Sequence, residues 1–351
     1  MAKRRQNAVD RDKMLRSLVA KNRPDIAREW ADPERSPRSQ ARPQDVFREG
    51  LEYVIAVDGK PRALGYDWET EFRKTRHAAR NWSIQRGCVL DYEAAEIPAE
   101  MDYRRFGPNA LHLCDWATDQ DGLGSCVGNC GGHFAFCLNR CEYYVSGEKQ
   151  KLIIPSVRFV YYGAQAAYRR PGGGGAVMDG LAQALQGFPT AKYGTYGGVV
   201  LEKNCNYDLR AMSRGTTPTP ANVATGQEHR FTKYAALQTI DGMVNCLASG
   251  RTCYTGFQWP GNWNGRVDAN GNLPSPSGGG GGHALHICGY RKHSRGVDLL
   301  IQNSWGRDWG QDGFGWAVHP APSRLRLGAE AYTHTNFDGW GPSAVLLDWY
   351  M

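Results

Sequence analysis

The stretch DQDGLGSCVGNC spans residues 119–130. It places Gln120 six positions before Cys126, reaches that cysteine through Gly124-Ser125, and leads into the apolar run FAFCLNRCEYYV (134–145) at helical spacing. Three readings compete for it: a structural cysteine pair, a metal site, or the setting of a nucleophilic thiol. A cysteine opening a helix faces unpaired N–H groups and the positive end of the helix dipole, which favour thiolate over thiol. A nucleophile also needs a base, a group that orients the base, and donors for an oxyanion. Those partners must come from elsewhere in the chain.

Candidates for each role lie downstream. His283 sits in GGHALHICGY at the start of a strand-like run, behind a glycine tract that leaves room. Asn303 stands in QNSWGRDWGQDGFGW near the end of the next run. The connection RKHSRGVD is short enough to make the two runs antiparallel neighbours, with residues 283 and 303 side by side. Gln120 can supply an amide donor beside the Cys126 N–H, and Trp305 can cover the His–Asn contact and exclude water. Each has a bland reading alone, as a strand histidine, a turn asparagine or a core tryptophan; jointly they leave little room for coincidence. Cys130 as nucleophile would put Gln120 at the wrong offset, so Cys130 reads as packed beneath Cys126. Zinc held by Cys126, Cys130, Cys137 and Cys141 is disfavoured, because those spacings lie on one face of one helix and cannot surround an ion tetrahedrally. Cys137 and Cys141 read as core.

With these residues in place the sequence resembles the papain family of cysteine peptidases. QDGLGSC is similar to that family's oxyanion glutamine and nucleophile segment, GGHAL to its histidine segment, and NSWGRDWGQDGFG to its Asn-Ser-Trp-Gly signature. IPAEMDYR (97–104) resembles the opening of the mature enzymes, so the likeness runs from residue 97 to about 319, and its texture is closest to bacterial or phage members. It implies an α+β, papain-like two-lobe fold, with a helical left lobe, a β-rich right lobe and the active site in the cleft. It implies peptide-bond hydrolysis through an acyl-enzyme: Cys126 as thiolate, His283 as its imidazolium partner, Asn303 as orienter, and Gln120 with the Cys126 N–H holding the oxyanion. Gly174 and Gly175 would present backbone to an extended substrate, with Trp305 among the substrate-site residues. No metal or organic cofactor is required. Val127 departs from the aromatic usual after the nucleophile. Leu123 and the tract 172–175 replace both halves of a disulfide found in secreted relatives.

Composition bounds the alternatives. The chain has 351 residues, 41% hydrophobic and 22% charged, values of a globular protein. The start MAKRRQNAVDRDKML lacks the apolar core of a secretory signal, so an intracellular or phage-particle setting is expected, and ten cysteines there read as reduced. The net charge of +7 is concentrated in a basic arm within the first 50 residues, mixed with acids and without interleaved aromatics, which argues against nucleic acid. Residues 1–96 read as an N-terminal extension, either a pro-region or a docking segment for a partner, with docking favoured because no inhibitory propeptide pattern is visible. It includes a hairpin of LEYVIAV and RALGYDW turning at Asp58-Gly59, and a helix over 71–87. Residues 97–351 form the peptidase domain: helices over 134–145, 157–170, 180–187 and 234–250, then strands over CYTGFQW, ALHICGY, DLLIQNSW, FGWAVH and SAVLLDWY. Two functional alternatives stand beside the peptidase: a papain-fold binding protein of a larger assembly such as a phage particle, and an amidase acting on cell-wall or isopeptide bonds.

Overall fold

The computed structural model describes residues 52–56, 61–65, 97–105, 113–146, 153–168, 171–172, 174–231, 234–237, 240–248, 251–278, 280–319, 321 and 331–334. The basic arm, the 71–87 helix and the C-terminal strand SAVLLDWY lie outside these residues.

The left lobe is built on α1 (Cys126–Ser146), α2 (Val157–Ala166) and α3 (Met178–Gln186). Ser156 caps α2, its hydroxyl accepting the Phe159 N–H at 3.1 Å, and so satisfies one of the donors a helix start leaves open. α1 and α2 approach closely because Gly128 offers no side chain: a Cβ there would collide with Tyr161 and press on the Val157 carbonyl. Val127, Phe134, Val160, Leu181 and Leu185 fill the space between these helices. Two short helices, α4 (Leu209–Ser213) and α5 (Pro220–Glu228), close the outer side.

The right lobe is a seven-stranded antiparallel sheet. Its strands are β3 (Glu100–Asp102), β6 (Tyr234–Leu237), β7 (Cys253–Gln258), β8 (Gly282–His293), β9 (Gly296–Gln302), β10 (Phe314–Ala317) and β11 (Ala331–His334), after two short hairpin strands of the left lobe, β4 (Phe188–Thr190) and β5 (Gly194–Tyr196). The order is β10-β9-β8-β7-β11-β6, and β3 pairs with the far half of β8. β8 is the spine: β7 lies along its first half, and a register shift between Ile287 and Gly289 falls where β3 takes over that edge. The core of this lobe gathers Phe257, Trp259, Trp263, Ile287, Leu300 and Trp316. The lobes are joined by main-chain bonds, Gln120 N–H to Ser304 O at 2.8 Å and Gly306 N–H to Thr118 O at 2.9 Å.

Two expectations need correction. Residues 234–250 are not one helix: Tyr234–Leu237 is strand β6, and only α6 (Ile240–Ala248) is helical. Ala235 and Ala236 fit a helix by propensity, but the sheet edge offered by β11 captures them, a tertiary override of local preference. The N-terminal hairpin does form, as β1 (Glu52–Ile55) against β2 (Pro61–Leu64). Its register sets Ile55 opposite Pro61 and leaves five residues between them, an odd number that a two-residue turn at Asp58-Gly59 would not leave.

Candidate active site

Cys126 is the first residue of α1, as its sequence context predicted. Its thiol accepts backbone N–H bonds from Ala284, Gly65 and Val127, which sets the sulfur at the helix start, beside the residue that follows His283. His283 is the second residue of β8, and Asn303 follows the last residue of β9. His283 Nε2 and Asn303 Oδ1 are 2.7 Å apart. Asn303 Oδ1 also accepts the Ser304 N–H at 2.8 Å, which fixes the oxygen toward the ring. The imidazole therefore donates from Nε2 and keeps its lone pair on Nδ1, where no hydrogen-bond partner is present.

Aromatic rings wall this pair off from water. Trp259 meets the His283 ring edge-on with centroids 4.7 Å apart, and Trp305 lies 5.1 Å from it. Trp305 is only 1% exposed, so it covers the His–Asn bond, as expected, but offers no open face to a substrate.

Gln120 is fully buried. Its backbone and side chain both depend on Ser304, whose hydroxyl donates to Gln120 Oε1 at 2.6 Å. That bond commits the amide oxygen and turns Nε2 inward. Two tyrosines brace the surrounding loops. The Tyr207 hydroxyl donates to Gln120 O at 3.1 Å and pairs with the Ser125 hydroxyl at 2.8 Å. The Tyr161 hydroxyl donates to Gly124 O and accepts the Gly175 N–H, both at 3.1 Å, tying the cysteine loop to the glycine tract. Gly175 is buried at the site and Gly174 beside it is exposed. Ser304 could have been read from the NSWG motif. Tyr161 and Tyr207 gave no signal, since tyrosines on a helix and a loop ordinarily read as core.

The sequence reading missed that the site is covered. Strand β2 and the residue after it cross it: Gln120 Nε2 donates to Ala63 O at 2.8 Å, the Cys126 thiol receives the Gly65 N–H, and the Ala176 N–H donates to Gly65 O at 2.9 Å. Arg62 forms an ion pair with Asp119 at 2.9 Å, both side chains nearly dry, and Leu64 enters the right-lobe core. The approach is so close that a Cβ on Gly65 would overlap the Gly124 carbonyl, and one on Gly175 the Gly65 carbonyl.

This cover changes the electrostatics expected of the pair. Burial pushes the Cys126 thiol up to about 11, against the pull of the backbone donors. Burial also takes His283 down to about 4, although the Asn303 bond opposes it. A thiolate–imidazolium pair was expected; in the covered site both partners are neutral, because a dry cavity penalises each charge more than the donors present repay. Cys130 is buried below Cys126, and desolvation raises its thiol well above the ordinary range. Cys137 lies in the core, while the Cys141 side chain is outside the described residues.

Comparison with known proteins agrees with this architecture. The model of the papain family cysteine protease matches residues 262–330. The cathepsin B-like protein CP3 of Giardia intestinalis is 26% identical over 251 residues, covering 66% of this chain and 72% of that protein. Cathepsin B-like CP2 of the same organism is 54% identical over 35 residues, 10% of this chain and 12% of that one. Among solved structures, xylellain, a cysteine protease from Xylella fastidiosa, superposes with a TM-score of 0.55 at 24% identity, over 70% of this chain and 89% of that one. The ragweed pollen cysteine protease Amb a 11 in its proform superposes with a TM-score of 0.52 at 17% identity, over 77% and 76%. The arrangement of the two lobes is thus the papain-like fold of these cysteine proteases, and the papain-family model matches the stretch that holds β8, β9 and β10 together with His283 and Asn303.

Proposed function

We propose that this cysteine peptidase attacks peptide carbonyls with Cys126, and that residues 61–65 hold it covered until they are displaced. The observation that carries the reading is the His283–Asn303 bond at 2.7 Å, with the Cys126 thiol anchored on the neighbouring Ala284 N–H and Gln120 Nε2 turned inward by Ser304. Once the cover leaves, water and the helix dipole restore the charged pair. Cys126 passes its proton to His283 Nδ1 and adds to the carbonyl carbon. The developing oxyanion takes the Gln120 Nε2–H, which Ala63 O occupies in the covered state, and the Cys126 N–H. His283 protonates the leaving amine, the acyl-enzyme forms, and water hydrolyses it with the histidine as base. Asn303 holds the ring in the tautomer this sequence requires.

The placement of Ala63 and Gly65 supports the pro-region over the docking reading of the extension. A docking segment would have no reason to occupy the amide donor and the thiol at once. The remainder of residues 1–96 can still engage a partner through its basic arm. Among the described residues no helix is long and apolar enough to cross a membrane.

The test is labelling with an epoxide thiol inhibitor, followed by mass mapping of the modified cysteine, before and after limited proteolysis of the extension. The expected adduct lies on Cys126 and forms much faster after proteolysis. Modification of another cysteine overturns the assignment of the nucleophile, and equal rates before and after overturn the cover.

A further inference from the structure

A second group of chemically capable side chains lies away from the cleft, in the seam between α1 and the sheet. Cys114 belongs to the segment entering the left lobe, Cys137 to the middle of α1, and His286 to β8. All three are fully buried, and the two sulfurs and a ring nitrogen of His286 lie within 4.8 Å of one another. Cys288, two residues along the same strand, shares a hydrogen bond between its thiol and that of Cys114. The four residues come from three separate elements and so approach from different directions. That is the condition the single-helix set Cys126, Cys130, Cys137 and Cys141 failed to meet.

The imidazole supplies an independent observation. Gln302 Nε2 donates to Trp116 O at 2.9 Å, which leaves Gln302 Oε1 as an acceptor for His286 Nδ1 at 2.8 Å. The proton of His286 is thereby held on Nδ1 and the lone pair on Nε2. Nε2 has no hydrogen-bond partner, in a residue that is 0% exposed. An orphaned buried ring nitrogen is costly. A neutral imidazole whose far nitrogen is fixed by an amide oxygen has the second-sphere arrangement of a metal-bound histidine.

We propose that Cys114, Cys137 and His286 bind a structural Zn²⁺, with Cys288 as the fourth ligand. Zn–S bonds of about 2.3 Å and Zn–N bonds of about 2.1 Å in a tetrahedron set ligand atoms roughly 3.5–3.8 Å apart, so small rotations bring Cys114, Cys137 and His286 onto the ion, and Cys288 completes the set by turning from the Leu300 carbonyl, 3.9 Å from its thiol. Binding displaces the three Sγ protons to solvent, and the ion with three thiolates carries a net single negative charge. The site has no open position and no path to substrate, which assigns it to holding the lobes together and leaves the peptidase chemistry metal-free. The bland alternative, thiols serving as small apolar core groups, does not account for the orphaned nitrogen.

The experiment uses the full-length chain, with a Cys126→Ser variant beside it so that metal held by the cleft thiol is recognised by its loss. Elemental analysis after dialysis should find roughly one Zn²⁺ per chain, or metal-free protein should take up that amount from added Zn²⁺. Exchange with Co²⁺ should give thiolate-to-cobalt charge-transfer absorption and the strong visible bands of tetrahedral Co²⁺, a readout that needs no variant. Cys137→Ala and His286→Gln should lose the metal, while Cys205→Ala, whose thiol lies in the left lobe, should retain it. Protein that takes up no Zn²⁺, retention of metal in both variants, octahedral Co²⁺ spectra, or an intact mass about 2 Da low from a disulfide among these thiols would each overturn the proposal.

Discussion

At Gln120 the amide is a donor already spent on Ala63 O, so its value to the reaction appears only when the cover is gone. Gln120→Ala in the activated enzyme should lower kcat by roughly 10²–10³, the scale of losing one oxyanion donor, with little change in KM and the fold intact by circular dichroism. Unchanged kcat with Cys126 still reactive would remove Gln120 from the mechanism. Gly65 makes the complementary prediction. Gly65→Ala forces a methyl against the Gly124 backbone, an overpacking cost of about 1–3 kcal/mol that falls on the covered state alone. Alkylation of Cys126 in the full-length variant should then accelerate roughly 5- to 150-fold over the parent. An equal or slower rate would mean that residue 65 does not guard the thiol.

Among the elements, the α1–α2 contact is the most sensitive to a single methyl. Gly128 lies two residues after Cys126, and a side chain there would drive α2 outward and carry Tyr161 with it. Tyr161 links Gly124 to Gly175, so the displacement would loosen the cysteine loop as well as the packing. Gly128→Ala should lower Tm by several degrees, since about 1–3 kcal/mol corresponds to 2–4 °C per kcal/mol in a domain of this size. Calorimetry checks this, and an unchanged Tm would show that the two helices can separate at no cost. The β8–β9 pair works differently. It places the histidine and asparagine through register alone, so its side chains are free to pack tryptophans around the resulting bond.

Across the described residues, outside the His286 cluster, the main electrostatic feature is a pair of fully buried histidines, His133 and His283, both lowered by desolvation. Unfolding returns each to about 6.5, where the free chain takes up protons that the fold refuses. Their contribution is fully present above about pH 6.5 and is lost as pH falls through their depressed folded values, near 4 for His283. Glu202 acts in the opposite sense. Burial raises it to about 7, so its contribution is present below about pH 4.5 and lost as pH rises through 7. Denaturant unfolding should therefore show stability falling from pH 6.5 toward 4, with Glu202→Gln steepening the fall by removing the opposing contribution. Stability that is flat or rising on acidification would mean these imidazoles are not held neutral in the fold.

The candidate set Cys126, His283, Asn303 and Gln120 could be drawn from the sequence because each proposed role demands a specific atom. Only a few residue types supply that atom, and the spacing within QDGLGSC and the strand pairing of GGHAL with QNSWG limit where it can stand. The helix that starts at Val157 and the strands β7, β8, β9 and β10 were legible because amphipathic spacing and short apolar runs are local properties. The cover could not be read in this way. Ala63 and Gly65 act through backbone N–H and C=O groups that every residue carries, so RALG has no chemical signature and becomes a cover only where the fold lays it. Likewise Cys114, Cys137, His286 and Cys288 are 174 positions apart at the extremes and mean nothing together until α1 docks on β8. The split of residues 234–248 into strand and helix depended on a sheet edge supplied by residues 331–334. Sequence alone determined which side chains can carry the chemistry. Tertiary structure alone decided which backbone lies across them, and therefore whether the thiol and imidazole are charged or silent.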